Sequence, residues 1–238
     1  MRRFYAPKES FQISNIVLSL NETRHLRDVL RLREDEKVQV FDGEGREFLC
    51  EIESITKKET LLKIIEEVTP FAPTSNLDLT LACALLKGEK FDLVVQKAVE
   101  LGIAKLIPLN TKRADVKFKE SEKKTERWRK IALEAAKQCG RADLMKIELP
   151  VDFAEFIKNA ADAKILFSER GGESFSAIRK SEKMIAFVGS EGGWEDSEIE
   201  LATSNGCQII TLGGRILRAE TAAIAITAIL QNNFGDVN

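Results

Sequence analysis

Charged side chains stand directly in front of one of the most apolar helices that the sequence predicts. In the stretch LGGRILRAETAAIAI, residues 212–226, two arginines, a glutamate and a threonine lie between a glycine pair and an Ala/Ile run. The chain has one histidine and four scattered cysteines without a C-x-x-C pair, so a zinc site or a histidine-based dyad is difficult to assemble. The chemistry must therefore be one that arginines, carboxylates and backbone groups support, and we expect no metal.

Two glycine-rich loops follow predicted strands in the second half of the chain. IAFVGSEGGWEDSE contains Gly189, Gly192 and Gly193, and IITLGGRILRAET contains Gly213 and Gly214. Glycines at such places let backbone N–H and C=O groups approach a ligand closely. Neither loop is a P-loop or a G-x-G-x-x-G fingerprint, so the pair indicates a nucleoside-type ligand held by the main chain. Tight turns and helix caps are the alternative interpretation for each loop.

The composition is that of a globular protein with one large or two small domains: 238 residues, 44% apolar and 31% charged. The formal net charge of -2 conceals two basic stretches. Residues 1–33 carry seven Lys/Arg against three Asp/Glu, and residues 105–141 carry twelve against five. Each stretch is compatible with a nucleic-acid-binding face and with a solvated helix face. The unpaired cysteines and the lack of a signal segment or a spanning apolar run predict a reduced, cytoplasmic protein without membrane contact.

Short β-favouring runs alternate over residues 36–68, which predicts a small antiparallel sheet or barrel with a turn at Asp42–Gly43. Two prolines and several polar residues over 69–76 mark the best domain boundary. A helix is predicted ahead of the sheet; its candidate N-caps are Asn21 and Thr23, and its apolar stripe consists of Leu26, Val29 and Leu30.

Beyond this boundary the pattern changes to alternating strands and helices. A strand over LDLTLACALL, a helix over EKFDLVVQKAVEL that Gly102 ends, and a strand over AKLIPL form a β-α-β unit. The alternation continues through a long helix over 123–139 to a closing helix from about Glu220. It predicts an α/β domain with a helix-covered parallel sheet and with ligands at the carboxyl ends of the strands.

The motifs are specific enough to carry a family resemblance. FVGSEGGWEDSEIE resembles the G-P-E-G-G motif, and LGGRILRAETAAIAI resembles the L-G-x-R-[IV]-L-R-x-E-T-A motif, of the ribosomal small-subunit RNA methyltransferase E family, a member of the SPOUT (α/β-knot) superfamily. The likeness covers the whole chain, since MRRFYAP, HLRDVLRLREDEKVQVFDGEGREF, LLKGEKFDLVVQKAVELGIAKLIPL and WRKIALEAAKQCGR resemble family segments in family order.

The resemblance implies a fold, a reaction and partners. Residues 1–70 would form a PUA-like RNA-binding β-barrel, and residues 74–238 a SPOUT α/β domain with a deep trefoil knot. The implied reaction is methylation of N3 of one uridine in 16S ribosomal RNA, with S-adenosylmethionine as cofactor and a homodimer whose active site lies at the subunit interface. Two alternatives stay open: a non-catalytic RNA-binding or ribosome-assembly factor, and a SPOUT RNA methyltransferase with another target.

The implied cofactor pocket is formed by the two glycine loops and by a looser third loop after the predicted strand AKILFS, which would also add Glu169. Thr221 would open the closing helix, whose small apolar side chains would pack against the knot and the partner subunit. The chain departs from the family pattern at Ser190 (usually Pro), Ala219 (commonly Thr or Ser) and Glu195 (where Ser or Thr would cap a helix). The expected cofactor-binding residues are Phe167, Ser168, Gly189, Glu191, Gly192, Gly193, Leu212, Gly213, Arg215, Ile216, Leu217, Arg218 and Thr221.

Four residues are the expected catalytic set. Arg218 would donate to the uracil oxygens, with Arg215 in support. Glu220 or Glu191 would accept the N3 proton, although a glutamate that opens a helix is also favoured by the helix dipole and can simply pair with an arginine. Arg141 would hold RNA phosphate near the active site; the alternative is a solvated arginine after a helix that Gly140 caps.

The expected RNA contacts come from both halves of the chain. For Arg113 an RNA contact and a structural role are equally compatible with the sequence, and His25 is as compatible with a surface residue that has no role. Trp194 could stack on a base or pack as a helix anchor. The expected RNA-binding residues are Arg2, Arg3, His25, Arg31, Arg113 and Arg141.

Overall fold

The computed structural model describes residues 2–72, 74–117, 122–160 and 162–237, with the side chain of residue 159 left out. These residues form two compact units: residues 1–74 with 136–144, and residues 75–135 with 145–238. The chain therefore returns to the first unit after 135, a crossing that the boundary predicted at 69–76 does not include. Pro73 of that boundary, and residues 118–121 of the second basic stretch, lie outside the described residues.

The first unit contains a five-stranded sheet in the order β1-β3-β4-β5-β2, in which β1 pairs with β3 in parallel and the other pairs are antiparallel. Its apolar face buries a cluster that includes Phe4, Ile16, Val40 and Ile52. The predicted turn at Asp42–Gly43 is confirmed, since Asp42 Oδ1 accepts from the backbone N–H groups of residues 44 and 46. The strands are β1 (Arg3–Tyr5), β2 (Asn15–Leu18), β3 (Lys37–Phe41), β4 (Glu47–Ile55) and β5 (Thr60–Val68).

The sheet is a curled half-barrel, where the strand pattern predicts a small antiparallel sheet or barrel and the resemblance implies a PUA-like β-barrel. Register shifts after Leu49 and after Ile52 bend β4 against β5. The edge strands β1 and β2 have three and four residues, and no pairing joins them among the described residues. β1 and β2 therefore remain the two edges of an open sheet.

The helix predicted ahead of residues 36–68 lies between β2 and β3, and it differs from its prediction in its N-cap and in its apolar stripe. It begins as α1 (Leu20–Arg24), and its N-cap is Ser19, whose hydroxyl accepts from the backbone N–H of Glu22, instead of Asn21 or Thr23. It continues as a π-helix over His25–Val29. The wider π turn rotates Val29 away from the apolar stripe, and its side chain is exposed while Leu26 is buried.

The second unit is a seven-stranded sheet in which every pair among the described strands is parallel, as predicted. The order is β12-β10-β11-β6-β7-β8, with β9 also paired to β7. The strands are β6 (Asp78–Ala84), β7 (Lys105–Asn110), β8 (Lys146–Ile147), β9 (Val151–Asp152), β10 (Ala163–Phe167), β11 (Lys183–Val188) and β12 (Gln208–Ile210). The helices are α2 (Lys90–Glu100), α3 (Glu122–Cys139), α4 (Phe153–Asn159), α5 (Asp196–Ser204) and α6 (Ala219–Phe234).

Local signals explain where several helices begin and end. Gly102 ends α2 with φ near +77°, as predicted, because a left-handed residue lets the backbone N–H of Ile103 reach the carbonyl of Ala98. Glu195 caps α5 in a capping box with Glu198, so a glutamate serves where serine or threonine is usual. Among the described residues, none of the helices combines the length and the apolar character that a bilayer crossing requires.

Candidate functional site

A cavity of about 410 Å³ opens at the carboxyl ends of β10, β11 and β12, where the α/β pattern predicts ligands. Three loops form its walls, together with one face of α6. Eleven of the thirteen residues expected to bind cofactor line it, the exceptions being Gly213 and Thr221. The lining residues are Phe167, Ser168, Glu169, Val188, Gly189, Ser190, Glu191, Gly192, Gly193, Trp194, Leu212, Arg215, Ile216, Leu217, Arg218, Ala219, Ala222 and Ile226.

The loop after β11, residues 189–194, is anchored by its last residue, Trp194. Trp194 is buried, packs on Phe153 at 4.9 Å between ring centroids, and donates its indole N–H to the carbonyl of Phe167 at 2.9 Å. Gly193 turns the chain with φ near +68°, and its N–H donates to the carbonyl of Ser190. Of the two roles considered for Trp194, the packed anchor is therefore the one observed.

The loop after β10 is tied to the end of β12. The Ser168 N–H donates to the carbonyl of Ile210, and the Gly172 N–H donates to the hydroxyl of Thr211 at 3.0 Å. A Cβ atom at Gly172 would lie 2.6 Å from the backbone carbon of Ile210, so only glycine permits this approach. These contacts hold the loop after β10 against the chain that leaves β12.

The loop after β12, residues 211–218, is the exposed wall of the cavity. Arg215 and Arg218 are exposed, and neither guanidinium group makes a hydrogen bond or ion pair with any described residue. Helix α6 begins at Ala219 with Arg218 as its N-cap, so Thr221 lies within the first turn and does not open the helix as expected. Both arginines are thus free to meet a negatively charged ligand.

Glu191 lies in the cavity wall but is already engaged. Its carboxylate is 2.8 Å from Lys90 Nζ, at the start of α2, and Oε1 also accepts from the backbone N–H of Lys87 at 3.4 Å. Partial burial raises the pKa of Glu191, but the hydrogen bonds from Lys90 and from backbone N–H groups outweigh burial and leave that pKa below its usual value. A carboxylate with a lowered pKa is a weaker proton acceptor.

Glu220, unlike Glu191, has no ion-pair partner among the described residues. Its Oε2 atom is buried and has no hydrogen-bond partner among the described residues. On α6 the residues that line the cavity are Ala219, Ala222 and Ile226, whereas the half-buried Glu220 lies on the same helix face as Thr227 and Gln231 and does not line the cavity. Glu220 is therefore the sequence neighbour of the cavity-lining Ala219. Its carboxylate pairs with no arginine within the described part of the chain.

Arg113 approaches the cavity from the loop after β7. Its Nη1 atom lies 3.4 Å from the carbonyl of Gly192. The loop is anchored by the buried Glu198, whose Oε1 accepts from the Lys112 N–H at 2.9 Å and whose Oε2 accepts from the Glu195 N–H at 3.0 Å. Arg113 is exposed, so its guanidinium is held at the rim and is still accessible to a ligand.

In the first unit, Arg2, His25 and Arg31 are exposed, whereas Arg3 is engaged. Arg3 forms a two-pronged ion pair with the buried Glu47, at 2.7 and 3.1 Å. Its remaining N–H groups donate to the carbonyls of residues 136, 137 and 141 at the end of α3. Because its Nε, Nη1 and Nη2 atoms already donate to protein acceptors, Arg3 has a structural role and is poorly placed to bind a phosphate. A cation at a helix C-terminus is stabilised by the carbonyl groups that the helix leaves unpaired.

Arg141 differs from both of its predicted roles. Gly140 ends α3 with φ near +90°, as predicted, but the Arg141 side chain is 7% exposed and its Nη2 atom lies 2.7 Å from the carboxylate of Asp143. It belongs to the first unit and does not line the cavity. An arginine in this position is neither simply solvated nor accessible to RNA, because moving it would leave the Asp143 carboxylate without this partner.

Three of the four cysteines are buried thiols. Burial raises the pKa of Cys50, Cys83 and Cys207 to about 12. A thiol with such a pKa is protonated at neutral pH and is unreactive.

Sequence reasoning missed part of the cavity wall. Val188 was not anticipated, and Ala222 and Ile226 were assigned only to helix packing. Their spacing from Ala219, three and seven residues, is the signal that could have found them, because residues at such intervals share one helix face.

Models of known protein families match most of the chain. A model described as an RNA methyltransferase domain matches residues 73–231, and one described as an RNA methyltransferase PUA domain matches residues 21–65. Proteins named ribosomal RNA small subunit methyltransferase E from Rickettsia conorii and Mesomycoplasma hyopneumoniae are 33% and 32% identical to it; the alignments cover 96% and 94% of this chain and 93% and 96% of those proteins.

A solved structure has the same fold over the full length. It is a ribosomal RNA small subunit methyltransferase E from Neisseria gonorrhoeae bound to S-adenosyl methionine. The TM-score is 0.92 and the sequence identity 32%, over 100% of both chains.

Proposed function

The chain belongs to the ribosomal RNA small subunit methyltransferase E family, and we propose that it transfers a methyl group from S-adenosylmethionine to N3 of one uridine in 16S ribosomal RNA. The observation that carries this proposal is the cavity at the carboxyl edge of the parallel sheet, where two exposed arginines, Arg215 and Arg218, line a pocket built from glycine loops. The Neisseria gonorrhoeae relative supports the cofactor, because its structure is bound to S-adenosyl methionine.

The cavity fits S-adenosylmethionine in size and in chemistry. Its volume of about 410 Å³ lies within the ~300–1,000 Å³ of typical small-molecule sites. Val188, Leu212 and Ile226 supply apolar wall for a purine ring, while the loop backbone supplies donors and acceptors. Glu169 adds a carboxylate beside Gly193 that can receive an ammonium group. When bound, the cofactor supplies an electrophilic methyl group.

The arginines make the uridine a nucleophile by stabilising its anion. N3 of uracil carries a proton at neutral pH, and its loss spreads negative charge onto O2 and O4. Arg218 and Arg215 are exposed and unengaged by other described residues, so both can donate to these oxygens. A preorganised donor aimed at developing charge contributes about 10²–10³ in rate.

For the proton acceptor, the contacts favour Glu220 over Glu191. Glu191 is ion-paired to Lys90 and has a lowered pKa, whereas one carboxylate oxygen of Glu220 accepts no hydrogen bond from the described residues. Glu220 also lies in the first turn of α6, next to the cavity-lining Ala219. Glu191 then has a positioning role, in which it ties the cavity loop to the start of α2.

Glutamine substitutions separate these two roles. Glu220→Gln is expected to lower kcat about 10²-fold at neutral pH, since general-base catalysis is worth about 10²–10⁴. The loss should shrink as pH rises, because hydroxide then removes the N3 proton. Methyl transfer measured across pH at saturating substrates checks this, with Glu191→Gln as the matched control. An equal loss in the control, or no pH dependence of the defect, would contradict the assignment.

Residues 1–70 bind RNA and residues 74–238 carry the transfer, within a knotted α/β domain that works as a homodimer in the cytoplasm on the small ribosomal subunit. The half-exposed Ala and Ile side chains of α6 support a helix that packs against a second copy. Light scattering of the purified protein tests the dimer, and a monomer with full activity would contradict it.

Mass spectrometry of small-subunit RNA tests the function itself. RNA from cells that lack this protein should have lost one 3-methyluridine, and purified protein with S-adenosylmethionine should restore it in 16S RNA or in small subunits. An unchanged modification pattern, together with RNA binding that is insensitive to the cofactor, would instead indicate an assembly factor. Loss of a different modification would indicate another methyltransferase of the same fold.

A further inference from the structure

The chain has a net charge of -2, so any surface that meets RNA must concentrate its cations locally. Three segments of the second unit do this: residues 87–92, 112–117 and 122–130. Together they carry ten Lys/Arg against five Asp/Glu, and the excess comes from residues 112–117 and 122–130, since residues 87–92 carry two of each. The rest of the chain is correspondingly acidic.

Ion pairs and ring contacts join these three segments into one surface. Lys87 Nζ lies 2.8 Å from Asp115, which connects the first segment to the second. Asp92 accepts from Arg127 and, at 3.1 Å, from the indole of Trp128, which connects the first segment to the third. Phe91 packs on Trp128 with ring centroids 4.5 Å apart. The negative charges of Asp92 and Asp115 are therefore neutralised by ion pairs within this surface.

The cations left over are accessible. Lys117, Lys123 and Lys130 are exposed, and none of the three has a hydrogen bond or ion pair with a described residue. Lys123, Arg127 and Lys130 recur at intervals of four and three residues, which places them on one face of α3. We call the exposed cations of the three segments the basic rim.

The basic rim is continuous with the wall of the cofactor cavity. Lys90 pairs with Glu191, and Arg113 reaches the carbonyl of Gly192; both partners line the cavity. An RNA strand whose nucleotide enters the cavity therefore has exposed lysines beside its backbone on this side.

We propose that the basic rim binds the phosphates of the RNA strand that flanks the target nucleotide, with Lys123 and Lys130 of α3 as its outer contacts. This inference rests on the proposed function. Lysine and arginine contacts to phosphate release counterions, so each contributes about 0.7–0.9 to the slope of log K against log salt. Such contacts add affinity and orientation without reading base sequence.

The double variant Lys123→Glu/Lys130→Glu tests the rim. Its affinity for 16S ribosomal RNA, as a transcript and within small subunits, is expected to fall at least tenfold at low salt. The slope against log salt should become shallower by about 1.4–1.8, the value for two lost phosphate contacts. Affinity for S-adenosylmethionine should not change, because neither lysine lines the cavity.

A matched double variant controls for net charge. Lys158 near the end of α4 and Lys180 just before β11 are exposed and precede strands, so they lie toward the opposite edge of the sheet. Lys158→Glu/Lys180→Glu should keep the wild-type salt slope. The proposal that the basic rim binds phosphates is wrong if the Lys123/Lys130 variant keeps wild-type RNA affinity, or if the control variant loses as much affinity. A wild-type protein that binds no S-adenosylmethionine would instead overturn the proposed function.

Discussion

Gly192→Ala is expected to weaken S-adenosylmethionine binding by about 10- to 100-fold. The added methyl group would lie 2.9 Å from Cβ of Arg113 and 3.0 Å from its carbonyl oxygen. Overpacking of this kind costs about 1–3 kcal/mol. The Arg113 backbone cannot retreat easily, because the neighbouring Lys112 N–H is held by Glu198 and the loop begins at the end of β7. The glycine loop must shift instead, which displaces the part of the cavity wall that Gly192 forms.

Calorimetric titration with S-adenosylmethionine measures this loss, and thermal unfolding shows whether the fold persists. Gly213→Ala is the matched control, since a Cβ atom there meets nothing within 4 Å and needs no left-handed backbone. It should weaken binding less than Gly192→Ala. Equal losses would mean that contact with Arg113 is not the reason why position 192 requires glycine.

Arg218→Ala is expected to lower kcat for methyl transfer by about 10²–10³, the cost of removing one donor to a developing oxyanion. The fold should persist, because the Arg218 guanidinium has no hydrogen bond or ion pair with the described residues and its side chain is exposed. Arg218→Lys should recover part of the rate, since an ammonium group keeps the charge but not the two-pronged donor geometry.

Single-turnover transfer of labelled methyl groups to small ribosomal subunits, at saturating cofactor, measures the chemical step. Arg179→Ala is the control, because Arg179 is an exposed arginine outside the cavity. Retention of more than a tenth of the wild-type kcat in Arg218→Ala would exclude the proposed role. If the Arg218→Ala variant also unfolds at a lower temperature, its loss of kcat would be caused by impaired folding instead.

The sequence by itself determined the elements and the location of the site. Alternating strands and helices predict a parallel sheet, and the glycine loops after β11 and β12 mark its carboxyl edge. These features are local: a glycine such as Gly193 or Gly214 is required by its own positive φ angle, which neighbouring residues signal. For the same reason most of the expected cofactor loop residues line the cavity.

Only the tertiary structure decided which charged side chains are free. Arg3, Arg141 and Arg218 look alike in sequence, yet Arg3 is bound to Glu47, Arg141 is paired with Asp143, and Arg218 is exposed and unengaged by the described residues. Glu191 and Glu220 differ in the same way. Glu47 lies 44 residues from Arg3, and Lys90 lies 101 residues from Glu191, so the local sequence pattern carries no information about these partners. Availability for chemistry is therefore a property of the packed fold.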